Sequence, residues 1–268
     1  MSERSEYPPG VPCWIETLVA DPEATMGFYS ELFGWDFAGP GAMPGDPPGS
    51  YSVARLRDRD VAGIGSRPQA SMPPAWTTYI SVANVEEAVQ RASAAGADVL
   101  AGPTNAAPAG RLAVLADPAG AVFGLWEAEL RQGAQLVNEP SAWAMSALQT
   151  TDPAGAKAFY GELFGWSHEA FDAGGAELTL CRMPGYVGGE PHQPVPRDVV
   201  AALLPIAGEQ TQSFWGVDFW IDDADAAAAK AAQLGGSVLV APHDTPGFRN
   251  TILADPNGAA FSVNERRL

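Results

Sequence analysis

Apolar and polar positions alternate in four short runs of the chain: WIETLVA (14–20), WTTYISV (76–82), WAMSALQ (143–149) and FWGVDFWI (214–221). Alternation of period two predicts a half-buried β-strand in each. In the first run Trp14, Glu16 and Leu18 share one face. Each run is followed by a helical pattern. DPEATMGFYSELFGW (21–35) returns almost unchanged as DPAGAKAFYGELFGW (152–166). Asp21 and Asp152 suit the N-cap, and Pro22 and Pro153 the first helical position. Phe28, Leu32 and Phe33, echoed by Phe159, Leu163 and Phe164, make an apolar face. Gly34 and Gly165 stand where a left-handed C-terminal residue ends a helix. Asn84 with Glu87 predicts a second kind of start, closed at Gly96. The alanine-rich run from Asp225 to Leu234 closes at Gly235 and Gly236.

A second repeat, LADPAGAVF (115–123) and LADPNGAAF (253–261), is flanked by strand-type residues. Its Asp-Pro-x-Gly predicts a tight type I turn between two strands. The chain therefore reads as strand, helix and about three strands, four times over. Two stretches interrupt this pattern. GPGAMPGDPPGS (39–50) reads as a Pro/Gly-rich loop, and 186–212 as an insertion whose DVVAALLPI suggests a short helix. The expected halves are residues 1–130 and 141–268, joined by a linker at 131–140.

Four βαβββ modules, FYxELFGW after an Asp-Pro cap and closing ADPxGAxF strands resemble the vicinal oxygen chelate superfamily, the glyoxalase/bleomycin-resistance/dioxygenase fold. The resemblance covers nearly the whole chain. More narrowly, it is similar to two-half actinobacterial members and to the DnrV-type proteins of anthracycline clusters. It implies an α+β fold: two tandem glyoxalase-like halves with sheets curled into ligand cups. Sequence leaves open how the modules pair and which half carries the working cup.

The resemblance also implies a test. Glyoxalases and dioxygenases of this superfamily hold a divalent metal with His and Glu, whereas its bleomycin-resistance members bind a drug without metal. Counting from the repeats, the family's ligand positions fall on Trp14, Thr77, Met145, Gly216, Gly124 and Ser262. None offers the imidazole or carboxylate that such ions prefer. The chain has three histidines, His168, His192 and His243, which share no strand or helix face. Glu16 is the one carboxylate well placed on a first strand. No nucleophile elbow, Walker loop or dinucleotide fingerprint occurs. The expectation is no metal, no cofactor and no catalytic residue.

Tryptophan stands where metal ligands would. Trp14, Glu16, Thr77, Tyr79, Trp126, Trp143, Met145, Trp215, Phe219 and Ser262 are the candidate ligand-binding residues. An aromatic cup suits a bulky planar aromatic natural product, an anthracycline-like antibiotic or intermediate, held for self-resistance or biosynthesis. The alternative is a divergent glyoxalase-like or polyketide-modifying enzyme, a lyase or hydroxylase, using Glu16 or a histidine as acid or base. A net charge of −17 disfavours nucleic acid and anionic membrane as partners, and accommodates a cationic small ligand. Cys13 and Cys181 form no metal or disulfide motif. The polar start MSERSEYPPG lacks a signal-peptide core, and no apolar run reaches membrane-spanning length, so a cytoplasmic location is expected, as monomer or homodimer.

Overall fold

The computed structural model describes residues 3–43, 48–172, 177–188, 196–206 and 212–267. Module one is β1 (Pro12–Val19), α1 (Pro22–Phe33), β2 (Asp36–Met43), β3 (Gly49–Leu56) and β4 (Arg59–Ser66). Module two is β5 (Trp76–Ser81), α2 (Val85–Ala94), β6 (Asp98–Asn105), β7 (Gly110–Ala116) and β8 (Val122–Ala128). Module three is β9 (Trp143–Thr150), α3 (Pro153–Phe164), β10 (Ser167–Asp172), β11 (Glu177–Arg182) and β12 (Val199–Pro205). Module four is β13 (Phe214–Ile221), α4 (Ala224–Gln233), β14 (Ser237–Thr245), β15 (Phe248–Ala254) and β16 (Ala260–Arg266).

Modules one and two share one eight-stranded sheet, in the order β2-β3-β4-β1-β5-β8-β7-β6. Modules three and four share the other, β10-β11-β12-β9-β13-β16-β15-β14. The fold is α+β, two tandem glyoxalase-like halves, each joined at its centre by antiparallel first strands, β1 with β5 and β9 with β13.

The caps form as their chemistry requires. The Asp21 and Asp152 side chains accept from the amides of Ala24 and Gly155, at 3.0 and 2.9 Å. Gly34 and Gly165 take φ of 72° and 75°, the left-handed region that ends each helix. Asn84 accepts from the Glu87 amide at 2.9 Å. Two stretches differ from the sequence reading. DVVAALLPI is strand rather than helix: β12 pairs parallel with β9 and antiparallel with β11, and its β-branched and apolar residues fill that central position. The Pro/Gly-rich stretch at 39–50 is largely strand, since β2 runs to Met43 and β3 begins at Gly49, while 44–47 lie outside the described residues.

The repeated helices pack across the halves. On α1, Phe28 meets Phe261 edge-on and Phe33 meets Phe219, both from the second sheet. On α3, Phe159 and Tyr160 meet Phe123 of the first sheet. The two repeat motifs also meet. The Tyr160 hydroxyl donates to Asp117 of the first half's turn at 3.0 Å and accepts from Trp215 Nε1 at 3.0 Å. Tyr29 repeats this with Asp255 at 3.5 Å and Trp76 at 3.1 Å. Asp117 Oδ1 accepts from the amides of Ala119 and Ala121, both at 2.9 Å, which closes the turn, while its Oδ2 takes the Tyr160 hydroxyl and so ties the turn to the helix of the other half. A buried hydroxyl pair, Thr78 and Ser146 at 2.7 Å, joins β5 to β9 between the sheets.

Candidate functional site: one filled cup and one open cup

The strand register matches the two concave faces position by position. Glu16 pairs with Gly63 and Thr77 in the first sheet; Ala147 pairs with Ala202 and Gly216 in the second. Tyr79 lies between Trp14 and Gly124; Asp218 lies between Met145 and Ser262. Trp126 pairs with Ser81 as Asn264 pairs with Trp220. Tyr51 faces Gly65, and Leu178 stands one step beyond the Thr179–Leu203 pair at the matching place. Trp14, Tyr51, Tyr79 and Trp126 of the first half are therefore replaced by the smaller Met145, Leu178, Asp218 and Asn264 in the second, while Ser81 gives way to Trp220.

The first cup is filled by its own side chains. Tyr51 and Tyr79 donate to the two oxygens of Glu16 at 2.8 and 2.7 Å. Trp14 Nε1 donates to the Tyr51 hydroxyl at 3.0 Å. Glycine makes the room: a Cβ on Gly63 would overlap the Tyr51 ring, and one on Gly124 the Tyr79 ring. Trp126 Nε1 donates to the Arg131 carbonyl at 2.9 Å, and the Arg131 guanidinium sits 5.8 Å over the Trp14 ring. Burial pushes the Glu16 carboxyl above the ordinary range, and the two tyrosine hydroxyls hold it back.

The second cup is open. A cavity of about 690 Å³ lies against β9, β11, β12, β13, β15 and β16. Met145, Ala147, Leu178 and Ala202 line it where the first cup carries Trp14, Glu16, Tyr51 and Gly63. Trp143, Trp220, Phe171 and Phe248 add aromatic wall. Its polar spot is compact. Asp218 is hydrogen-bonded by Ser262 and Asn264, and Asn264 Oδ1 accepts from Asn250 Nδ2 at 2.9 Å. Burial pushes the Asp218 carboxyl up to about 6, against the hydrogen bonds from Ser262 and Asn264 that lower it.

The donor sets do not fit the divalent ion that the resemblance implies. The first cup offers Glu16, spent on two tyrosines, and the second offers Asp218 among amides and a hydroxyl. Neither brings an imidazole. His168 lies on β10 with burial lowering its pKa, His243 is exposed on β14, and His192 lies outside the described residues. Among the described residues the one group of three possible ligands is Asp223, Asp225 and Glu265, away from both cups. It is committed elsewhere: Asp225 pairs with Arg249, and Glu265 accepts from the Ala224 amide.

The sequence candidates are thus distributed over three places. Trp14, Glu16, Thr77, Tyr79 and Trp126 belong to the filled cup. Trp143, Met145 and Ser262 line the open one. Trp215 and Phe219 lie on the opposite face of β13, in the core between the halves, because alternation turns them away from Asp218 and Trp220. Asp218 and Asn264 escaped the sequence reading, and Trp220, which shares its parity with Gly216, was not among the candidates. The signal for Asp218 and Trp220 was their shared parity with Gly216 within FWGVDFWI; Asn264 reaches the site only through its cross-strand pairing on β16. Among the described residues no helix is long and apolar enough to cross a membrane.

The comparisons agree with this architecture. The glyoxalase-like domain family matches residues 14–126 and again 145–264. CFP32 of Mycobacterium tuberculosis is 38% identical over 269 residues, covering 98% of this chain and 97% of that protein. The anthracycline biosynthesis protein DnrV of Streptomyces peucetius is 31% identical over 287 residues, covering 98% and 96%. The crystal structure of the Mn(II)-bound glyoxalase from Novosphingobium aromaticivorans superposes with a TM-score of 0.64 at 15% identity, over 96% of this chain and 82% of that one. With its domain matched twice over and both repeats built as curled sheets, the chain belongs to the glyoxalase-like family of the vicinal oxygen chelate superfamily.

Proposed function

We propose that the second cup binds a bulky planar aromatic natural product without a metal, in support of antibiotic biosynthesis or self-resistance. The observation that carries this reading is the contrast between the cups. The first is closed by its own tyrosines and tryptophans, whereas the second keeps a cavity of about 690 Å³ with aromatic and aliphatic walls. Cavities of roughly 300–1,000 Å³ with few polar groups suit drug-sized ligands. Phe171, which is exposed, and Trp220, whose ring already carries the Arg266 guanidinium at 5.1 Å, line the cavity, and a good aromatic stack is worth about 0.5–1.5 kcal/mol beyond area burial. Similarity to DnrV, named for anthracycline biosynthesis, supports a role in that chemistry or in resistance to its products.

Titration of the purified chain with a panel of planar aromatic antibiotics, followed by tryptophan fluorescence after treatment with chelator, tests the reading. Saturable quenching at tens of micromolar or below supports it. No quenching by any member of the panel contradicts it.

A second reading, a polyketide-modifying enzyme, draws on Asp218. A carboxyl with a pKa of about 6 is poised to exchange a proton near neutral pH. Mass analysis of ligands recovered from the chain separates the readings: unchanged ligand supports binding, and a new product supports catalysis.

A further inference from the structure

Asp218 is the part of the open cup that the aromatic walls do not explain. It stands in the middle of β13, on the concave face, with its accessible side on the cavity. Its two hydrogen-bonding neighbours are both donors toward it. Ser262 offers a hydroxyl, and Asn264, whose Oδ1 is taken by Asn250, offers its Nδ2. The relay from Asn250 through Asn264 to Asp218 therefore points donors at the carboxylate and leaves acceptor capacity facing the cup. No arginine or lysine among the described residues forms an ion pair with it. Of the cations at the cup wall, Arg182 is engaged by Glu169 and Asp198, Arg4 Nη1 donates to the Glu3 carbonyl at 3.1 Å, and Arg266 lies 5.1 Å over the Trp220 ring. The matching position in the first half is Tyr79, whose neighbouring carboxylate, Glu16, is satisfied by two hydroxyls within the protein. Each carboxylate has two donors within the protein, but Glu16 is buried beneath its tyrosines, whereas Asp218 lines the open cavity.

We infer that Asp218 is the anchor for a protonated amine carried by the aromatic ligand, so that the second cup selects amine-bearing planar aromatics over their neutral counterparts. The inference rests on the proposed aromatic-binding role. An ionised carboxylate in an apolar cavity is costly until a counter-charge reaches it, and here that charge arrives with the ligand. A charge-assisted hydrogen bond to Asp218 then fixes the orientation of rings that stacking alone leaves free to rotate. The strongly acidic chain adds long-range attraction for such a cation.

The groups facing Asp218 make its role separable. From β9, β15 and β16 these are Met145, Asn250, Ser262 and Asn264, none of which titrates near neutral pH. Glu169 and Arg182, paired with each other, and Tyr186 line the same cavity from the second half, and Arg4 and Tyr7 from the N-terminal segment.

The test measures daunorubicin, which carries one primary amine, and its N-acetyl derivative against the wild-type chain and the Asp218→Asn variant. The wild type should prefer the amine by roughly 10-fold to 100-fold, and Asp218→Asn should lose that preference. Equal binding of the two compounds by the wild type, or an unchanged preference in Asp218→Asn, overturns the anchor and leaves the aromatic reading standing. Binding of neither compound by the wild type overturns both. Should the variant fail to fold, the wild type alone decides. Its preference for the amine should shrink as pH falls below about 6, and a preference constant from pH 5 to 8 overturns the inference.

Discussion

The ring of Tyr79 occupies the space that any side chain on Gly124 would need. This single relationship separates the two halves, because the matching pair in the second half is Asp218 and Ser262, neither of which fills its cup. Gly124→Ser, which installs the second half's residue, should destabilise the chain by about 1–3 kcal/mol through overpacking. Tyr79→Ala should cost about 3–5 kcal/mol by leaving a cavity. Because the two positions share one space, the double variant should cost less than the sum. Urea midpoints of the three variants check this, and strict additivity would show that the ring does not depend on the glycine.

The Tyr160–Asp117 bond, with its Tyr29–Asp255 twin, ties the repeated helix of one half to the repeated turn of the other. Tyr160→Phe should cost about 1–3 kcal/mol, since Trp215 Nε1 then loses its buried acceptor. Tyr29→Phe should cost less, because its bond to Asp255 is longer, at 3.5 Å. Thermal or denaturant unfolding of each variant measures the difference, and the reverse order would contradict the geometry.

Much of this scaffold was legible in the sequence. Asp-Pro caps, left-handed glycines and Asp-Pro-x-Gly turns act over a few residues, so local spacing revealed four modules and two tandem halves. The cups were harder to read. Whether Trp14 meets a tyrosine, or Met145 an empty space, depends on residues such as Tyr51 and Leu178 that reach the site only through cross-strand register. Trp215 and Phe219 were read as cup residues because aromatics crowd both faces of FWGVDFWI. The same crowding obscured Asp218, the inward polar residue of that strand. DVVAALLPI reads locally as helix, and its place between β9 and β11 makes it strand.

Burial raises the carboxyls of Glu16, Asp117 and Asp255, and that of Asp218 to about 6. Each raised group binds protons more tightly in the native chain than in the unfolded one. Its contribution to stability is present below the unfolded value, near pH 4, and is lost as pH rises through the folded value. The chain should therefore be more stable near pH 5 than near pH 7.5, with Asp218 supplying about 1 kcal/mol of that difference. Asp218→Asn should flatten that part of the profile. Denaturant midpoints from pH 4 to 8 check the slope, and a stability that rises with pH would contradict it.

Filling the second cup with the first half's residues tests the central claim most directly. Met145→Trp with Leu178→Tyr installs the counterparts of Trp14 and Tyr51 on the open face, far from the core between the halves. Isothermal titration of the wild type with an amine-bearing planar aromatic should give one ligand per chain. The double variant should keep its far-ultraviolet circular dichroism and lose binding by more than 10-fold, as expected when the rings lose their contact surface. Binding of the same ligand to the filled variant with unchanged affinity and stoichiometry would contradict the assignment of the second cup as the working site.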